Sequence, residues 1–290
     1  MFSLEPHGPD TFVGQGPRYP WGGLYGGQIV AQALRAASFT VNTQVEPAHS
    51  DQALVSDGLD PESPVQFTPH SIRAYFIRRG DHTEPVRYEV DRIRNGRSFV
   101  TRRVVARQAT GAILNAECSF QRPEAAEEVQ SVQMPEVPPA ITLVQDSWTD
   151  TFDRCLVPES AIGGESRIGT GRTTAWLRVR HDLGPIEAPA NQFLHQCWLA
   201  YLSDELPTDS VRRAHPVART EGEHFFGTSL DHTIWFHRPM RADRWHLHDY
   251  TCHHFVGGRG LVLGHVFSDD GLHVATVAQE ALLRDRRARG

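Results

Sequence analysis

The sequence predicts an α+β fold built twice. Each half carries a helix followed by an antiparallel meander, and the sheet wraps round its helix. Three observations carry this expectation. Two apolar stretches recur at helical spacing and suit a buried position better than a surface one. The segments after them read as strands separated by turn residues. Landmarks of the first half also return in the second at a nearly constant distance.

The first helix follows Gly22, Gly23, Gly26 and Gly27, with Ile29, Val30, Ala33, Leu34 and Ala37 on its apolar stripe. A polar segment, Glu46 to Pro64, is expected as a surface loop inserted before the first strand. The strands then run from Thr68 to Arg78, from Val86 to the hairpin signal Asn95-Gly96, and through an apolar run to a turn at Gly111. The last strand ends near Gln121. Arg122 to Ala140 is rich in Pro and Glu and reads as an extended linker. The expected division is 1–121, a linker over 122–145, and 146–290.

The second helix is expected to begin near Asn191 as N-cap. It carries Leu194, Cys197, Trp198 and Tyr201 at i, i+3, i+4, i+7 and must stop before Pro207. Strands follow from Asp231 to Arg238, from Trp245, through Gly257-Gly-Arg-Gly-Leu261, and from the turn Asp270-Gly271 to Arg284. Phe76, Arg78 and Gly111 match Phe236, Arg238 and Gly271 at an offset of 160, and Arg97 matches Arg259 at 162. Both offsets are even, so the inward and outward strand faces should correspond.

Composition excludes several function classes. All 29 basic residues are arginine, which removes lysine Schiff-base chemistry and a lysine P-loop. The net charge of -6 argues against nucleic acid as a partner. No apolar stretch approaches the ~18 residues of a membrane span, and Met1 to Asp10 has no basic leader, so a cytoplasmic protein with no membrane partner is expected. Cys118, Cys155, Cys197 and Cys252 form no C-x-x-C pair and read as reduced thiols. Neither G-x-G-x-x-G nor G-x-S-x-G occurs.

Asp204 continues the apolar stripe 194, 197, 201, near a helix C-terminus whose dipole disfavours a carboxylate. Either it is a buried general base with a raised pKa, or the helix frays and it is a solvated loop acid. Gln279 shares strand parity with Ala275, Val277, Ala281 and Leu283, so its amide is buried, either orienting a water or carbonyl or serving a structural hydrogen bond. Ser229 alone reads as a turn or cap residue. The helix-opening amides of Gly22 to Gln28 offer an oxyanion site, or the glycines serve close packing. His246 and His248 share a strand face, read as a solvated one; no metal is expected. Arginines at strand ends and turns, among them Arg97, Arg102, Arg238 and Arg259, suit phosphates or plain solvated surface.

Tyr25-Gly-Gly-Gln-Ile-Val-Ala-Gln-Ala-Leu34, His70-Ser-Ile-Arg-Ala-Tyr-Phe-Ile-Arg-Arg-Gly-Asp81, Ser98-Phe-Val-Thr-Arg-Arg103, Ser119-Phe-Gln121, Ser229-Leu-Asp-His-Thr-Ile-Trp-Phe-His-Arg-Pro239, Gly258-Arg-Gly-Leu-Val262 and Ala278-Gln-Glu280 occur in this order. Together they resemble the acyl-CoA thioesterase II family. The resemblance implies a double hotdog, hydrolysis of acyl-CoA to free acid and CoA, no cofactor, and a homo-oligomer. It implies a catalytic trio at Asp204, Ser229 and Gln279, with water activated directly by Asp204. Gly26, Gly27 and Gln28 would meet the thioester oxygen, His70 would line the site or serve as a satisfied structural histidine, and Arg97 and Arg259 would hold CoA phosphates. A non-catalytic acyl-CoA binder is the alternative. A hotdog hydratase ranks below it, because its D-x-N-P-x-H signature is missing.

Overall fold

The structure, a computed structural model, describes residues 1–41, 67–163, 171–187, 189–218 and 220–288. The expected 46–64 loop lies outside the described residues.

The first half runs β1 (Glu5–Pro6), β2 (Thr11–Gly14), α1 (Gly26–Phe39), β3 (Thr68–Phe76), β4 (Val86–Asn95), β5 (Phe99–Gln108) and β6 (Gly111–Gln121). The second runs β7 (Phe152–Leu156), β8 (Arg172–Val179), α2 (Pro189–Leu202), α3 (Pro207–Ala214), β9 (Phe225–Ser229), β10 (Asp231–Phe236), β11 (His246–Val256), β12 (Arg259–Ser268) and β13 (His273–Asp285). Among the described residues these strands form one antiparallel sheet, ordered β1-β2-β4-β5-β6-β3-β10-β13-β12-β11-β8-β7, with β9 also on β13. The halves join where β3 pairs with β10, Ile72 opposite Ile234. This is the α+β double hotdog that the resemblance implies.

The repeat is visible in the ladders. Val90 faces Val104 as Tyr250 faces Gly264, an offset of 160 on both strands. The same bulge recurs in β4 and β11, at Ile93 and His253. The last strand departs from the expected offset. Phe76 faces Leu114, whereas Phe236 faces Ala275, an offset of 161. The β12–β13 connection is one residue longer, so Gly111 and Gly271 are not register equivalents. The longer turn restores the face that an odd offset would have exchanged. By register, Gln279 therefore corresponds to Cys118, which faces Ile72.

Two turns also differ from expectation. Asn95 and Val100 are opposite each other, so Asn95-Gly96 opens a four-residue connection rather than a tight turn. The two-residue turn lies at Gly257-Gly258, whose φ values of 60° and 78° suit glycine.

α1 is buried along nearly its whole length. α2 begins at Pro189, so Asn191 lies inside the helix, where its amide donates to the Pro185 carbonyl. The chain then turns through Ser203 to Leu206, and Pro207 starts a further helix, α3, which the sequence reading missed. Its signals are ordinary ones: Pro at the first position, Asp209 in the first turn, Arg212 and Arg213 in the last. Residues 122–139 form no regular element, yet they are docked. Val132, Met134 and Val137 pack on a second apolar cluster, on the outer face of the second half's strands, that contains Trp176, Leu247 and Phe267. The Trp176 indole donates to the Pro138 carbonyl at 2.9 Å.

Candidate active site

α1 and α2 pack together, the N-terminus of α1 against the C-terminus of α2. Gly27 makes that approach possible, since a Cβ there would lie 2.2 Å from the Tyr201 carbonyl oxygen. The Tyr25 hydroxyl donates to the same carbonyl at 3.0 Å, and the two tyrosine rings pack edge to face. No side chain caps α1 at Tyr25, so its first amides point outward as free donors.

Asp204 fills that position. The Gly27 N–H donates to its Oδ2 at 2.8 Å, and the Ser229 hydroxyl lies 3.4 Å from its Oδ1. The Gln279 amide nitrogen donates to Ser229 Oγ at 2.7 Å. The three residues named for the trio therefore lie together, on the α2–α3 turn, the end of β9 and the inner face of β13. Two difficulties of the sequence reading are resolved here. α2 does end before Asp204, yet the carboxyl is enclosed rather than solvated. The unfavourable C-terminus of its own helix is offset by the positive N-terminus of the other half's helix. Burial pushes the Asp204 carboxyl up to about 7, against the lowering effects of the Gln279 amide, the Gly27 N–H and the Ser229 hydroxyl. The residue as a whole keeps partial access to solvent.

Glu205 points elsewhere. Both its oxygens accept from the Trp148 indole, and Arg154 lies 2.5 Å away. Burial pushes this carboxyl to about 7 as well, opposed by Arg154 and Trp148.

The remaining expected residues divide between two places. Gly26 lies at the site, where a Cβ would meet Asp204 Oδ2 at 2.6 Å and the Phe76 ring at 2.9 Å. The Gln28 side chain is fully buried and accepts from the Tyr19 hydroxyl at 2.6 Å. Arg259 sits on the opposite face of the sheet from Gln279, paired with Glu280 at 2.9 Å. It is two strands from Ser229, about 10 Å. His70 is not gathered at Asp204: it lies near the start of β3, six residues or about 20 Å from Phe76. There it bonds Ser119 Oγ at 2.7 Å and packs edge to face on Phe99, and burial lowers its pKa. Arg97 is exposed in the connection just before Phe99.

Two readings are corrected. His246 and His248 are fully buried, on the same face of β11 as Tyr250, whose hydroxyl reaches the Ser203 carbonyl at 3.0 Å; this is an inner face, not a solvated one. Arg102 is neither a phosphate ligand nor surface. It is buried and caps the C-terminus of α1, donating to Thr40 Oγ1 at 2.8 Å and to the Thr40 carbonyl at 3.0 Å.

The sequence reading missed His232. It is fully buried, bonds the Gln279 side-chain carboxamide oxygen through Nδ1, and lies 2.8 Å from Ser203 Oγ through Nε2. Its signal was the alternation of Asp231 to Phe236, which sets His232 on one face with Ile234 and Phe236.

Comparison with known proteins agrees with the fold. Residues 16–121 match the model of the acyl-CoA thioesterase N-terminal domain, and 123–283 that of the acyl-CoA thioesterase C-terminal domain. The chain is 30% identical to human acyl-coenzyme A thioesterase 8, with 98% of this chain and 88% of that protein covered. It is 31% identical to acyl-CoA thioesterase 2 of Haemophilus influenzae, with 98% and 96% covered. The solved acyl-CoA thioesterase II of Mycobacterium marinum superposes with a TM-score of 0.77 at 32% identity, over 98% of this chain and 95% of that one. Similarity of this extent, spanning both halves, establishes that the chain belongs to the acyl-CoA thioesterase family.

Proposed function

We propose that this protein hydrolyses acyl-CoA to the free acid and CoA with water activated by Asp204. The Asp204 carboxylate takes a proton from a bound water, and the water oxygen attacks the thioester carbonyl carbon. The carbonyl electron pair moves to oxygen, then returns to expel the CoA thiolate, while the proton passes from Asp204 to solvent or to the thiolate. An alkyl thiol ionises near pH ~8.5, so its thiolate leaves without a strong acid catalyst. Ser229 and Gln279 hold the water in line. The Gly27 N–H holds the base, and the positive end of α1, over Gly26 to Gln28, stabilises the oxyanion by its field. Arg97 and Arg259 as CoA-phosphate ligands, homo-oligomeric assembly, and the division at 121 and 146 belong to the same proposal.

The observation that carries this reading is a carboxyl pushed up to about 7, in contact with a helix N-terminal amide and a serine hydroxyl. Such a group is half ionised near neutrality, where a general base is most effective. Thiol release from acyl-CoAs of graded chain length is the test. Wild-type protein is expected to release CoA, and Asp204→Asn to lose about 10²-fold or more in kcat with its fold intact. Binding without release would make the protein a carrier, and an unchanged kcat in the variant would remove Asp204 from the mechanism.

A further inference from the structure

His232 stands one step behind the three residues proposed to act on water. Its position next to Thr233, which faces Ala278, sets it opposite Gln279 on the inner face of the sheet. Its Nδ1 meets the Gln279 carboxamide oxygen, and its Nε2 lies 2.8 Å from Ser203 Oγ. A carboxamide oxygen only accepts, so Nδ1 carries the proton. Burial lowers the imidazole pKa to about 4, so the ring is neutral and Nε2 keeps a lone pair. Ser203 Oγ also lies 3.0 Å from the Ala200 carbonyl, so with Nδ1 protonated its single proton turns from that carbonyl to the Nε2 lone pair. With this tautomer the bonds run from Ser203 to His232, His232 to Gln279, Gln279 to Ser229 and Ser229 to Asp204.

The scaffold does not require this chain. In the first half the register counterparts of His232 and Gln279 are Ile72 and Cys118, both fully buried and opposite each other. The counterpart of Ser229 is Pro69. Burying an imidazole and a carboxamide is costly for each group left unpaired. The polar set occurs only in the half whose helix end carries Asp204.

We propose that His232 is a positioning residue whose Nδ1–H tautomer turns the Gln279 carboxamide so that its nitrogen faces Ser229. The Ser229 hydroxyl is thereby kept from donating to Gln279 and points its proton at Asp204. The opposite tautomer reverses the chain: the Gln279 oxygen then faces Ser229, takes its proton, and leaves Asp204 without that donor. This inference rests on the proposed roles of Asp204, Ser229 and Gln279.

Long-range proton–nitrogen NMR on protein labelled with nitrogen-15 in its histidines reads the tautomer directly, with the His232 signals assigned by their absence from His232→Asn. A neutral Nδ1–H ring near neutral pH is expected, and an Nε2–H ring overturns the proposal. Kinetics supply a second arm. The Asn side chain can set its nitrogen where Nδ1 lies, so His232→Asn is expected within about threefold of wild-type kcat, whereas His232→Leu falls at least about tenfold at unchanged KM. A folded Leu variant with wild-type kcat also overturns it; if that variant does not fold, the wild-type tautomer still decides. Failure of the function itself looks different: no thiol release from any acyl-CoA by the wild-type protein, whatever the tautomer.

Discussion

Asp204 is held between opposing effects. Enclosure by protein favours its neutral form, and three donors favour its ionised one. The net result, about 7, is set mainly by burial. A base must be deprotonated to act, so kcat/KM is expected to rise with pH through a limb near 7 and to level above it. A profile flat through this region would show that another group accepts the proton. The stability effect has the opposite sign. The folded-state pKa lies above the unfolded one, so protonation favours the fold, and the contribution fades as pH rises from the ordinary carboxylate range through about 7. Asp204→Asn is therefore expected to gain thermal stability relative to wild type at mildly alkaline pH and little at acid pH. Paired melting curves at the two pH values read this difference. Glu205 also titrates near 7, but it is engaged by Trp148 and Arg154 rather than by the trio, so Glu205→Gln should leave the kinetic limb in place.

At the scale of elements, the site is a junction of helix ends closed by two strands. The glycines that open α1 serve contact with the other half more than flexibility. Gly26 and Gly27 admit Asp204, Phe76 and the Tyr201 carbonyl to distances that any side chain would forbid. In an isolated helix, Gly→Ala would add about 1 kcal/mol of stability. Here Gly26→Ala would drive a methyl group into the Asp204 carboxylate, with Phe76 behind it. We expect kcat to fall about tenfold or more at unchanged helix content, because a small misplacement of the base suffices. Circular dichroism and thiol release on the same sample check this, and wild-type activity would show that the junction is slack. Helix existence was legible because Ile29 to Ala37 and Leu194 to Tyr201 repeat at helical spacing. α3 was not, because its short run of polar residues after Pro207 has no stripe long enough to separate it from a loop. The docked strap at 122–139 was illegible for a different reason: its three spaced apolar residues, Val132, Met134 and Val137, have meaning only against a sheet face that other parts of the chain build.

In the whole molecule, two copies of one architecture have been put to different ends. Where the second half has Val262 beside Gln279, the first has Arg102 beside Cys118. Arg102 is buried, its pKa lowered to about 10 chiefly by that burial, and its donors go to the Thr40 and Arg94 carbonyls, Thr40 Oγ1 and Asn95 Oδ1. It closes the C-terminus of α1, while the C-terminus of α2 opens onto Asp204. The C-terminal ends of the two helices are thereby put to different uses. Arg102→Met should leave these carbonyls without donors and lower stability by about 2–3 kcal/mol, while kcat of the folded protein stays within about twofold of wild type. Denaturant unfolding and thiol release together test this; a large loss of kcat at unchanged stability would mean that the C-terminal end of α1 takes part in the chemistry.

The sequence by itself determined the repeat, both long helices, most strands, and one buried polar residue, Gln279; Asp204 it left open between interior and solvent. Each of these follows from periodicity, which is a local property of the chain. Ser229 could be distinguished from any other serine only by its resemblance to a family motif. The tertiary structure alone decided which groups meet: that the N-terminus of α1 offsets the unfavourable end of α2, that His232 stands behind Gln279 while His70 lies at the far end of β3, and that His246 and His248 face inward. It also decided that the last strand keeps its face despite an odd offset. Such facts depend on contacts between residues as far apart as Gly27 and Asp204, and spacing along a chain carries no information about the field of a helix that arrives from the other half.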